Sequence, residues 1–188
     1  SSTGGNAVGY CYITGNDMTV IGIRAKSIEI GGSISGNITV IGSMGITMDA
    51  SAGDGKRITV WDEPVNVFAV YGIKTDSLSC SEISGTISVT SVYTGNYAWA
   101  ARTVGIFAEG AINGGSEDIA LSITGSINVT ADVGIAAGIM RGSASKIGSI
   151  NIRVSGNLSA TSIFGGAGNA YAIYLGDAHG TGKGKVGG

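Results

Sequence analysis

Proline is almost missing from this chain: Pro64 is the only one in 188 residues, and His179 is equally alone. Without proline-rich or charge-rich stretches, nothing marks a linker that would cut the chain in two, and it reads as one domain. One histidine without evident partners argues against a Ser-His-Asp arrangement. Aromatic residues make up 6% and charged residues 13%, so few large side chains fill the interior and few ion pairs decorate the surface. The 11 basic residues stand singly and the formal net charge is −2. That is no electrostatic footprint for nucleic acid or an anionic membrane surface, and neither partner is expected. The longest apolar stretch, residues 170–175, is far shorter than the roughly 20 residues of a membrane helix, so no membrane insertion is expected. Cys11 and Cys80 have no metal-ligand spacing and read as small buried hydrophobes. No cofactor is implied.

What is abundant is glycine, 34 residues, together with 43% hydrophobic residues rich in Ile and Val. Disordered glycine-rich linkers lack that apolar surface, which here offsets the entropy of ordering. The glycine is not scattered. A Ser/Thr-Gly pair precedes an apolar-polar-apolar triplet in Ser35-Gly36-Asn37-Ile38-Thr39-Val40, Ser84-Gly85-Thr86-Ile87-Ser88-Val89, Thr124-Gly125-Ser126-Ile127-Asn128-Val129 and Ser155-Gly156-Asn157-Leu158-Ser159-Ala160. Looser copies are Thr14-Gly15 before Met18-Thr19-Val20, and Gly55 before Ile58-Thr59-Val60. A second pattern, apolar-Gly-Ile, alternates with the first at Ile21, Met44, Tyr71, Val104 and Val133, with the variant Tyr171-Ala172-Ile173. Taking each of these as a unit start gives spacings of 23, 27, 33, 29 and 38 residues, variable in length but constant in order. Such order with elastic spacing is the mark of a solenoid with loop insertions.

Within a unit the alternation has period 2. Ile21, Ile23, Ala25, Ile28 and Ile30 fall on one face, with Arg24, Lys26 and Glu29 on the other. No sustained helical periodicity occurs, and essentially no helix is expected. A sandwich or closed barrel would also use short strands, but their strands need not resemble one another a unit apart. The expected fold is all-β, a single-stranded right-handed parallel β-helix over residues 1–176, with a flexible glycine-rich tail at 177–188. The glycine of each Ser/Thr-Gly pair is expected at a tight corner, where φ is positive or the next coil comes close. Neither terminus shows a recognisable cap, which points to end-to-end self-association or to a piece of a longer rod.

The S/T-G-x-I-x-V and Y/V-G-I-x-A repeats, closing on Ala170-Tyr171-Ala172-Ile173-Tyr174-Leu175, resemble those of autotransporter passenger regions and of large secreted repeat proteins of Gram-negative gut bacteria. The resemblance spans nearly all of residues 8–176. It implies a secreted or cell-surface rod excised from a chain that crosses a Gram-negative envelope. These motifs are architectural and are shared by unrelated activities, so they name no reaction.

A search for chemistry yields few candidates. Asp62 and Glu63 beside Trp61 form an acidic pair next to an aromatic ring, and Glu117-Asp118 is a second pair. Adjacent strand residues point to opposite faces, so neither pair makes an acid and a base facing one another unless it lies in a loop. Tyr93, Tyr97, Trp99 and Phe107 gather in a long insertion where rings could stack on a sugar or anchor a protein. Gly53-Asp54-Gly55 is an isolated Asp without the recurrence of a calcium β-roll. The Asn-x-Ser/Thr triplets at Asn37, Asn128 and Asn157 follow from the structural repeat itself. If the triplets stack, Thr19, Thr39, Thr59, Ser88, Asn128 and Ser159 form an outward file of small polar groups, although the outer face of any sheet must be polar. The chain thus reads as a structural or adhesive segment that presents loops to a glycan or another surface protein. The alternative is a carbohydrate-binding or carbohydrate-active β-helix with its site on one outer face, at Trp61, Asp62, Glu63, Tyr93, Tyr97 and Trp99.

Overall fold

The computed structural model describes residues 18–44, 68–93, 101–142, 150–164 and 170–175, and within them every regular element is a strand. In chain order these are β1 (Met18–Ile34), β2 (Ile38–Met44), β3 (Phe68–Ile83), β4 (Thr86–Tyr93), β5 (Arg102–Ala108), β6 (Ile112–Asn113) and β7 (Leu121–Ile123). They are followed by β8 (Ser126–Val133), β9 (Ile135–Arg141), β10 (Ile152–Val154), β11 (Asn157–Phe164) and β12 (Ala170–Tyr174). All pairings between named strands are parallel. Strands β2, β4, β8 and β11 form one sheet and the remaining eight form a second, curled sheet. The all-β, parallel character expected from the repeats is therefore present.

Like stacks on like, and the pairing sets the unit length. Ile21 pairs with Tyr71, Tyr71 with Val104, Val104 with Ala137 and Ala137 with Tyr171, spacings of 50, 33, 33 and 34 residues. Two of the apolar-Gly-Ile matches are thereby reassigned. The fourth unit's copy is Ala137-Gly138-Ile139, while Gly134 of Val133-Gly134-Ile135 sits at φ +81° in a turn, where a Cβ would run into the Ala101 carbonyl. Met44 closes β2 and pairs with Tyr93 in the four-stranded sheet, so Met44-Gly45-Ile46 does not open a unit of the other sheet. With these removed, the later units share a period close to 33 residues.

The four Ser/Thr-Gly pairs stack as expected, but for one of the two reasons considered. None of these glycines has positive φ among the described residues. A Cβ on Gly85 would collide with the Gly36 carbonyl, one on Gly125 with that of Gly85, and one on Gly156 with that of Gly125. Close approach of successive corners, not left-handed backbone, demands glycine there. The apolar-Gly-Ile glycines serve the interior in the same way. A Cβ on Gly72 would lie 2.6 Å from the Gly105 carbonyl and 2.7 Å from Ile87 of the facing sheet. Ile87, Ile127 and Leu158 reach across into the space that the glycine row leaves.

The core is a set of files along the stack. Ile73, Ile106 and Ile139 form one, Ile83 and Ile123 another, and Ile87 and Ile127 a third, each side chain 0% exposed. Burying each such side chain contributes roughly 1.5–3 kcal/mol. The alternation is interrupted at Gly72-Ile73 and its equivalents: Gly72 faces the core, and Ile73 belongs to it too. Two inward residues in succession bend the strand. This places Tyr71, and with it Ile21, in a second cluster on the outer side, together with Val104, Phe107, Ala137 and Met140. Ile21 therefore does not share a face with Ile28, contrary to the simple period-2 reading. A buried hydrogen bond from Thr103 Oγ1 to Ser91 Oγ, 2.8 Å, ties the two sheets together.

Candidate functional site

Of the residues singled out in the sequence, Trp61, Asp62, Glu63, Tyr97, Trp99, Asp54, Thr59 and His179 lie outside the described residues, as does the 177–188 tail. Tyr93 is half-buried at the end of β4, and its backbone N–H donates to Asp132 Oδ2 at 2.8 Å. Phe107 is not an exposed loop ring. It is 6% exposed on β5, tilted against Tyr71 with centroids 5.3 Å apart, and its role is packing. Glu117 and Asp118 sit exposed in the turn between β6 and β7, where the Glu117 carbonyl accepts from Asn151 Nδ2 at 2.9 Å.

The stacked triplets do form a polar file. Thr39 pairs with Ser88, Ser88 with Asn128 and Asn128 with Ser159. Thr19 does not join it: it pairs with Ala69 in the curled sheet, so Met18-Thr19-Val20 is not a copy of the triplet. Two residues further along, Ile41, Thr90, Thr130 and Thr161 make a second outward file that the motif reading did not include. Its signal was there in the sequence, as the alternate position after each apolar-polar-apolar triplet. The two files give the outer face of the four-stranded sheet six hydroxyls and one amide at the roughly 4.8 Å strand spacing, with Ile41, 66% exposed, at the β2 edge. Asn157 Nδ2 donates to Asn128 Oδ1 at 3.2 Å across its edge. The side chains of these two files offer hydrogen-bond donors and acceptors and no acid–base group.

The curled sheet carries most of the charged groups of the described strands. Arg24, Lys26, Lys74, Thr75, Asp76 and Glu109 line a cleft of about 560 Å³. Lys74 Nζ stands 4.9 Å from the centroid of Tyr71 and 5.7 Å from that of Phe107, a cation over two ring faces. Burial pushes the Tyr71 hydroxyl above its ordinary pKa, and the Arg102 guanidinium beside it opposes that shift. Next along the strands, Glu29, Ser77, Ser79 and Asn113 line a cleft of about 490 Å³. There Ser79 Oγ donates to Asn113 Oδ1 at 3.0 Å, and the Ser27 and Ser77 hydroxyls lie 3.1 Å apart. Among the described residues no three His, Cys, Asp or Glu side chains gather where they could hold a metal ion.

Fold and surface together define a repeat-built parallel β protein with one hydroxyl-rich face and one cleft-bearing face of mixed charge. No family model, curated protein or solved structure matches the chain.

Proposed function

We propose that this chain is a structural or adhesive segment of a secreted or cell-surface bacterial repeat protein, folded as a single-stranded right-handed β-helix. The observation that carries the reading is the unbroken like-on-like parallel pairing of successive units, glycine corner on glycine corner. Nearest-neighbour stacking of that kind builds stiff, extensible shafts. The right hand is supported by the strong preference of parallel crossover connections for it. The export and surface setting rest on the resemblance of the repeats. A glycan-recognising β-helix is the second reading, favoured by the adjoining clefts and by the Lys74 ammonium over Tyr71 and Phe107.

A glycan array run beside a polysaccharide-hydrolysis screen on the folded chain tests both. A structural segment is expected to cleave nothing, and release of reducing ends from a defined polysaccharide would overturn that reading. Saturable glycan binding that is lost in Lys74→Ala and Ser79→Ala would move the assignment to the second reading.

A further inference from the structure

We propose that the cleft lined by Glu29, Ser77, Ser79 and Asn113 binds a neutral sugar unit of a polysaccharide through its hydroxyls, Glu29 accepting from one hydroxyl while Asn113 donates to another. The inference rests on the glycan-recognising reading above and deepens it by naming the class of ligand and the groups that hold it. Three observations carry it.

The first is Asn113, which is 8% exposed and leaves half of its amide unused. Its Oδ1 accepts from Ser79 Oγ at 3.0 Å and from the Gly115 backbone N–H at 3.1 Å. A backbone N–H can only donate, so the amide atom facing it is the oxygen, and the orientation of the group is fixed. Nδ2 then carries hydrogens that reach no acceptor among the described residues. It is not sealed from solvent either, and Asn113 lines the cleft of about 490 Å³. A donor is thus held at a fixed place on the cleft wall by a side chain that is otherwise buried.

The second observation is the direction of the protons around it. Ser27 Oγ donates to Glu29 Oε1 at 3.2 Å, which spends its one proton. In the 3.1 Å contact between Ser27 and Ser77 the donor is therefore Ser77. Ser79 spends its proton on Asn113. The cleft is left with Glu29, Ser77 and Ser79 as acceptors and the Asn113 amide as donor. A hydroxyl both donates and accepts, so a ring bearing several of them answers both kinds of group. An anion brings only acceptors to a wall of acceptors and is repelled by Glu29. A cation leaves the Asn113 donor unanswered.

The third observation is the register. Glu29 pairs with Ser79 and Ser79 with Asn113, so carboxylate, hydroxyl and amide stand in one file on three neighbouring strands, about 4.8 Å per step. The ladders fix these positions before any ligand arrives, which lowers the ordering cost of binding. Ile30 and Ala111 add apolar wall on which ring C–H groups can rest. The adjoining cleft sets Arg24, Lys26 and Lys74 against Asp76 and Glu109, a different chemistry that experiment can separate from this one.

Isothermal titration calorimetry of the 188-residue chain with cellohexaose, mannohexaose and a β-1,4-galactan hexasaccharide, beside hexagalacturonate as the acidic counterpart, tests this. Saturable binding of at least one neutral oligosaccharide is expected, weakened about tenfold or more by Glu29→Gln and by Asn113→Asp. Asn113→Asp keeps an oxygen for Ser79 and Gly115 and removes the Nδ2 donor. Its thermal melt is followed by circular dichroism, and if its Tm falls, Glu29→Gln, at an exposed position, decides alone. Neutral-sugar binding that Glu29→Gln leaves unchanged, or that only Lys74→Ala removes, overturns the proposal, as does binding of hexagalacturonate alone. Each of those results leaves the glycan-recognising reading standing. A folded chain that binds none of the four overturns the proposal and that reading together.

Discussion

Cys80 shows how one side chain reports on the whole packing. It is 0% exposed, a free thiol in the file that continues Ile30, and burial raises its pKa from 9.0 to about 11. The thiolate is the reactive form, so at pH 8 the folded chain keeps Cys80 doubly protected, by access and by ionisation. Thiol labelling at that pH is expected to be slow in the native protein and fast in denaturant; equally fast labelling in both would contradict the buried placement. The sign of the pH effect follows from the same shift. The folded state holds the proton more tightly than the unfolded one, so this contribution to stability is fully present below the unfolded pKa near 9. It is lost as pH rises towards 11. Tyr71, raised in the same direction by burial, adds to the fall at alkaline pH.

At the scale of the element, the corner between the two sheets is where sequence and structure agree most closely. Gly125 stacks between Gly85 and Gly156, and any Cβ would enter backbone that cannot move without shifting a whole strand. Gly125→Ala is expected to cost about 1–3 kcal/mol or more, read as a fall in Tm, whereas the same change at Gly36, where no atom of the described residues lies within 4 Å, should be near neutral. Equal effects at both positions would deny the stack. The four Ser/Thr-Gly corners were legible because a corner admits one residue type and repeats it. The apolar-Gly-Ile register was less legible. Val133-Gly134-Ile135 matches the pattern better than Ala137-Gly138-Ile139, yet the latter lies on Val104-Gly105-Ile106. Ala137 shares a buried cluster with the larger Tyr71, Val104, Phe107 and Met140, so the size of the residue at this position does not reveal the register. The bends at Gly72 and its equivalents also hid from a period-2 count, because inward neighbours in succession look like a lapse in alternation. For the site, the polar file of Thr39, Ser88, Asn128 and Ser159 was readable from the triplets, whereas Thr19 falls in the other sheet and Thr59 lies outside the described residues. The clefts were not, since Arg24, Lys74 and Glu109 belong to three different units and only the stacking brings them together.

At the scale of the whole molecule, a stack in which each unit touches its neighbours has stability that depends on position. The middle units, β3 with β4 and β5 with β8, have a layer on each side, and their inward residues are close to 0% exposed. Among the described residues the outer units have one neighbour, and Ile23, Ile30 and Val154 are more than one-third exposed. Opening an end unit therefore breaks one interface and exposes little new apolar surface, whereas opening a middle unit breaks two. Hydrogen exchange followed by mass spectrometry on the dilute chain is expected to show slow amides in β3, β4, β5 and β8 and faster ones in β1, β2, β11 and β12. Uniform protection from end to end would mean that the chain opens as one unit and that the ends are not the weak points their exposure suggests.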